Sequence, residues 1–217
     1  AWNTRHARPF EIHLPLSSRS SPRVAAIGGR QKETPVPTLE SSNALGPPRT
    51  QRVFLALWLP PTLAHTLSRT AWNLSRGSGG RPTIPSSMHL TLAFVGDVPR
   101  EQVEILRSLV PTLRGTAFRL VLDRVGLWRH NGIAWAGPSD VPAPLTALRD
   151  AAEQVLDRAG IPFDRRPFRP HVTLARRVEN PGPWAVEIGE LTWDVTEVVL
   201  VRSGRDAQGA ARYEVLA

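Results

Sequence analysis

The chain has 217 residues, with 27 Lys+Arg against 19 Asp+Glu and a formal net charge of +8. That length fits one large domain or two small lobes and buries a substantial core without covalent staples. Cysteine is absent, which excludes a disulfide framework and a thiolate metal site and points to a cytoplasmic setting. No run of about eighteen apolar residues is present, so no membrane-spanning helix is expected.

Residues 1–50 differ from the rest. Ser17-Ser18, Ser20-Ser21, Ser41-Ser42 and scattered prolines up to Pro47-Pro48 show no sustained period. Such a stretch buries too little apolar surface to offset its ordering entropy, so it reads as a disordered N-terminal extension. Its opening third, Arg- and Ser-rich with only Glu11 acidic, faintly echoes an organellar transit peptide, although a misplaced start accounts for it as well.

A folded domain over 51–217 follows. Val53 to Leu59 is an apolar run closed by Pro60-Pro61, as in a buried strand. Thr62 to Arg76 is expected as a helix and Met88 to Val95 as a second strand, stopped by Gly96-Asp97. Pro99 to Leu113 carries Val103, Leu106, Val110 and Leu113 at helical spacing. Phe118 to Val125 and Ile133 to Ala136 read as strands, with a turn signal at Asn131-Gly132. Leu145 to Ala159 forms one apolar stripe ended by Gly160. Three more strands follow, at His171 to Ala175, Val195 to Val201 and Arg212 to Leu216. Interleaved elements with short turns between strand pairs indicate a mixed α+β architecture.

The two halves echo each other in a strand reading His-x-Thr-Leu-Ala. Met88-His89-Leu90-Thr91-Leu92-Ala93 is matched 82 positions later (171 − 89) by Pro170-His171-Val172-Thr173-Leu174-Ala175. Side chains alternate along a strand, so each imidazole shares a face with a hydroxyl while Leu90, Leu92, Val172 and Leu174 enter the core. In-line displacement at phosphorus suits this set. One imidazole takes a proton from the attacking oxygen, another gives one to the leaving oxygen, and an unperturbed pKa of about 6.5 lets both forms coexist near neutrality. Threonine hydroxyls donate to non-bridging oxygens as charge shifts. No metal or other cofactor is required.

Only Lys32 is a lysine, so 26 of the 27 cations are arginines, whose planar forks grip phosphate. Arg169, two residues before His171, is the best placed as a phosphate clamp. Arg176 has the opposite parity and is expected in solvent, whereas Ser87 shares the parity of His89. Two other readings stay open on the residues alone. The histidines could ligate a metal with a third ligand folded in from elsewhere, or the arginines could serve a non-catalytic RNA-binding module. His65, His130, His6 and His13 call for no catalytic role. Trp58, Trp72, Trp128, Trp135 and Trp193 read as core more readily than as base-stacking surfaces.

The paired motifs and their flanks resemble the two-histidine (2H) phosphoesterase superfamily, in its RNA 2′,3′-cyclic phosphodiesterase, or 2′-5′ RNA ligase-like, branch. The residues that carry the resemblance are Arg52 to Leu57, Met88 to Gly96, Phe168 to Arg176 and Gly209 to Tyr213. It implies a bilobal, pseudo-symmetric fold of two antiparallel-sheet lobes with helices outside and a central cleft. It also implies hydrolysis of a terminal RNA 2′,3′-cyclic phosphate to a 2′-phosphomonoester by a monomer, with His89 as proton donor, His171 as proton acceptor, and Thr91 and Thr173 holding the phosphate. Ligation of RNA ends through a 2′-5′ bond is the reverse chemistry of the same motifs. Where the family often has Glu-Ser on the late strand, this chain has Arg202-Ser203.

Overall fold

The computed structural model describes residues 50–76, 78–113, 117–179 and 186–217. The extension expected over 1–50 lies outside these residues except for Thr50. Among them, ten strands and three α-helices follow one another.

The first strand, β1 (Thr50–Trp58), buries Val53 through Leu57 without interruption. Val53, Leu55 and Leu57 enter the main core, and Phe54 and Ala56 enter a second, smaller cluster with Val199 and Val201. The run is continuous because both of its faces are covered. Helix α1 (Pro61–Arg76) buries Leu63, Leu67, Ala71 and Leu74 at helical spacing. Strand β2 (Arg81–Pro82) and a 3-10 turn at Pro85–Ser87 lead into β3 (His89–Pro99). β3 runs four residues beyond the expected stop, since Gly96 absorbs a φ of 90° and pairing resumes after it. Helix α2 (Arg100–Leu109) tightens into a 3-10 turn at Val110–Leu113 instead of continuing as α-helix.

The strand expected over 118–125 is two strands in different sheets, β4 (Phe118–Leu122) and β5 (Arg124–Trp128). The chain crosses at Asp123, whose carboxylate accepts from the backbone N–H of Ser139 at 2.7 Å. β6 (Ile133–Gly137) returns through the expected turn, with Gly132 at φ 62°. Helix α3 (Ala143–Arg158) buries Leu145, Arg149, Ala152 and Leu156. Arg149 is an unexpected member of that stripe. It pairs with Glu153 at 2.6 Å and lies against the rings of Phe163 and Phe168. β7 (Val172–Arg176) follows. The strand expected over 195–201 straddles the end of β8 (Leu191–Val195) and the start of β9 (Val199–Arg205), because Thr196-Glu197-Val198 carries strand-forming residues through the connection. β10 (Ala211–Val215) closes the order.

The main sheet runs β10-β9-β1-β3-β7-β6-β5, with β2 added on β7, and every pairing is antiparallel. It consists of two half-sheets that meet between β3 and β7 at one registered pair, Leu90↔Val172. β4 and β8 form a separate ribbon. α2 and α3 pack on the β1/β3 half and α1 on β7 and β2, so the chain crosses between halves directly after β1. This is the expected α+β fold of two antiparallel lobes.

The opposite face is shaped by two equivalent bulges. On β3 the register against β1 passes from Ala56↔Thr91 to Leu55↔Ala93, leaving Leu92 extra. On β7 the register against β6 passes from Trp135↔Thr173 to Ala134↔Ala175, leaving Leu174 extra. An extra residue breaks strict alternation. Leu92 and Ala93 are therefore both buried, as are Leu174 and Ala175, and Phe94 and Arg176 both turn back to the cleft side.

Trp135 lies across Gly126, its partner on β5, where a Cβ would fall 2.2 Å from the indole. Replacing Gly126 by alanine should therefore push Trp135 off its seat and cost about 1–3 kcal/mol, read as a lowered midpoint of chemical denaturation.

Candidate active site

The seam fixes the site. With Leu90 opposite Val172 and both in the core, the neighbouring residues face the cleft, His89 across from Thr173 and His171 across from Thr91. The two histidines are then diagonal neighbours, a relation that sets β-carbons about 7–8 Å apart or slightly less.

Each imidazole is held in the same way. Nδ1 of His89 donates to the carbonyl of Ser87 at 2.8 Å, and Nδ1 of His171 donates to the carbonyl of Arg169 at 2.7 Å. A carbonyl can only accept, so Nδ1 carries hydrogen in each ring and Nε2 is the nitrogen that gains or loses a proton. Met88 and Leu90, each buried, anchor the backbone around the first ring.

The surroundings of the two rings differ. His89 is stacked on Trp58, 5.3 Å away with an interplanar angle of 7°, and is flanked by Phe54 at 4.8 Å and the edge of Tyr213 at 5.0 Å. β1 supplies Phe54 and Trp58, and β10 supplies Tyr213 opposite Ser203. His171 meets the edge of Trp128 at 4.5 Å, and Trp128 rests on Trp135. Trp58 and Trp128 are therefore part of the site, where the sequence alone favoured core.

Burial in this aromatic box pushes the His89 pKa down to about 4, against the raising effect of the Ser87 carbonyl. The charge of Arg176 lowers it further, and so does His171. His171 is also lowered, first by burial and then by Arg176. Both shifts favour the neutral imidazole at neutral pH.

A pocket of about 180 Å³ includes His89, Thr91, Phe94, Thr173, Arg176 and Tyr213 in its lining. Neither His171 nor Arg169 lines this pocket or the groove beside it; Arg169 stands exposed and gives the site its carbonyl, which holds the His171 ring. Arg176, expected in solvent, lines both. The bulge at Leu174 is the reason, and only the 82-residue repeat, which makes Arg176 the counterpart of Phe94, hinted at it. Ser87 lines the groove, as its parity implied. Arg202 faces away and pairs with Glu214, while Ser203 lines the pocket, so the departure at Arg202-Ser203 leaves the cleft wall unaltered. His65 and His130 are exposed, and among the described residues no three His, Cys, Asp or Glu side chains gather. No described helix is long and apolar enough to cross a membrane.

A family model for the 2′-5′ RNA ligase superfamily matches residues 60–207. The chain belongs to that superfamily. Among relatives in the superfamily, the RNA 2′,3′-cyclic phosphodiesterase of Escherichia coli is 31% identical over 166 residues, covering 76% of this chain and 94% of the relative. That of Thermus thermophilus is 31% identical over 175 residues, covering 76% and 87%. The crystal structure of E. coli LigT with 3′-AMP superposes with a TM-score of 0.67 at 32% identity, covering 78% of this chain and 97% of that one.

The depressed histidines link the site to stability. An imidazole whose folded pKa lies below its unfolded value of about 6.5 stabilises the native state above that value, and the contribution is lost as pH falls from 6.5 toward 4. The melting temperature of the wild type should therefore fall between pH 7 and pH 4.5. Histidine-to-glutamine replacement at position 89 should flatten that slope, and equal slopes for the two proteins would show His89 to be unshifted.

Proposed function

We propose that this protein hydrolyses the 2′,3′-cyclic phosphate at the end of an RNA, leaving a 2′-phosphomonoester. The observation that carries the reading is the pair of imidazoles at one seam, each with Nδ1 tied to the carbonyl two residues back and Nε2 left to titrate. The names of the E. coli and T. thermophilus relatives support the same activity, and a nucleotide 3′-phosphate in LigT fits a cleft that takes phosphate on ribose.

In this reading His171 removes a proton from water as its oxygen attacks phosphorus. The P–O3′ bond breaks in line, and His89 delivers its proton to the departing 3′ oxygen. Thr91 and Thr173, diagonal across the same seam, donate to the non-bridging oxygens, and Arg176, in the same pocket lining, supplies positive charge. The lowered pKa favours neutral His89, so the ring takes its proton from solvent as the anionic substrate binds. An entering phosphate anion cancels the field of Arg176 and favours imidazolium, while stacking on Trp58 steadies that cation once formed.

The direct test is turnover of an oligoribonucleotide ending in a 2′,3′-cyclic phosphate, in the presence of EDTA, with the product identified. His89→Ala and His171→Ala should each lower kcat by about 10²–10⁴ while the protein stays folded. Loss of wild-type activity on chelation would favour metal chemistry instead. Arg176→Ala should raise KM more than Arg169→Ala; the reverse order would return the clamp to Arg169.

The pH dependence has a defined sign. The productive free enzyme carries one imidazolium and one imidazole, a form that becomes scarcer as pH rises above two depressed pKa values. kcat/KM should therefore fall between pH 6 and 8, and kcat should fall later because bound phosphate retains the proton. A kcat/KM that climbed over this range would contradict the assignment.

A further inference from the structure

The 180 Å³ pocket opens into a groove of about 920 Å³. The two spaces share Arg52, His89, Thr173, Arg176, Ser203 and Tyr213, so the groove is the continuation of the catalytic cleft. Sites for drug-sized ligands occupy roughly 300–1,000 Å³. The inner pocket falls below that range, and the groove lies near its upper end.

Its charge is one-sided. Five arginines, at 52, 81, 176, 177 and 205, line it against one carboxylate, Asp97, which lies 3.6 Å from Arg52. Arg81, Arg176 and Arg177 take part in no ion pair among the described residues. Arg205 donates to the carbonyl of Gly209 at 2.7 Å, which braces the β9–β10 hairpin without neutralising the charge.

The backbone works to keep these charges together. Arg81 is the registered partner of Arg176 across β2 and β7, and like charges directly opposite disfavour a pairing. Arg177 adopts φ 58°, the one left-handed non-glycine residue among those described. That conformation costs about 1 kcal/mol or more in a residue with a Cβ. Its effect is to turn the chain so that two consecutive arginines reach one groove, where a regular strand would send them to opposite faces. Ile84, 60% exposed, adds an apolar surface to the same wall.

A row of guanidinium groups beside a lone aliphatic surface is chemistry for successive phosphodiesters with sugars and bases between them. We infer that this groove binds the RNA backbone upstream of the terminal nucleotide, making an oligoribonucleotide, and not a nucleoside cyclic phosphate, the preferred substrate. The inference rests on the hydrolase reading above and adds to it a second binding region, on Arg81, Arg177 and Arg205.

Two measurements test it. The first compares kcat/KM for a nucleoside 2′,3′-cyclic phosphate and for a tetraribonucleotide with the same end. The oligomer should be favoured at least tenfold at low salt, and Arg81→Gln and Arg177→Gly should each cut the ratio at least threefold. Glycine accepts the left-handed conformation, so the second variant removes the charge and keeps the turn. The second measurement is the anisotropy of a fluorescein-labelled tetraribonucleotide ending in a 2′-phosphate, titrated at several salt concentrations. Each variant should reduce the slope of log affinity against log salt by about 0.7 for each phosphate it no longer neutralises. A wild-type ratio near one, or variants with the wild-type ratio and salt slope, overturns the groove while leaving the hydrolase intact. No turnover of either substrate together with arginine-dependent binding sinks the hydrolase reading and keeps the groove.

Discussion

The molecule depends on one backbone pairing. Leu90 opposite Val172 is the single registered pair between the two half-sheets, and it fixes which residues of β3 and β7 share the cleft. Slide either strand by one residue and every side chain of that strand changes face, sending its histidine into the core. The pairing is protected by what lies under it. Leu90, Leu92, Val172 and Leu174 are 0–2% exposed, so a slip of either strand would bury an imidazole and a hydroxyl and expose two aliphatic side chains. The apolar residues between the histidines and threonines therefore hold the geometry of the candidate site.

Electrostatics then divide the cleft into two regions. Around His89, Phe54, Trp58 and Tyr213 make an aromatic box whose burial disfavours a charged ring. Arg176 and four more arginines line the groove that His89 and Tyr213 also border. In the proposed reaction the arginines would attract the anion, and its charge would favour a proton on an imidazole that burial otherwise keeps neutral. Proton affinity would then be coupled to substrate binding.

The His-x-Thr strands are legible in the sequence because they obey a two-residue period and recur, and β1 because an apolar run bounded by prolines has few other uses. What escapes the sequence does so for local reasons. The bulges at Leu92 and Leu174 arise in runs where Leu and Ala are both apolar, so the pattern looks the same with or without the extra residue. Strand parity sends Arg176 to solvent on that account alone. The break at Asp123 is made by a side chain reaching Ser139, sixteen residues on, and no short window along the chain joins the two. Trp58 and Trp128 fit a core reading equally well until the partner strands bring histidines against them.

The internal repeat carries a further consequence. Ser87 and Arg169, His89 and His171, Thr91 and Thr173, Leu92 and Leu174 all occupy equivalent places, 82 residues apart, and a site built only of these would give its two histidines the same proton affinity. Phe94 against Arg176 breaks the equivalence at the first cleft position beyond the bulge, and the aromatic box around His89 against the single edge of Trp128 breaks it again. Two identical imidazoles could share the work only if the substrate decided which ring held the proton. In the proposed reaction the positions where the halves differ would add a bias of their own, setting which ring gives the proton and which takes it.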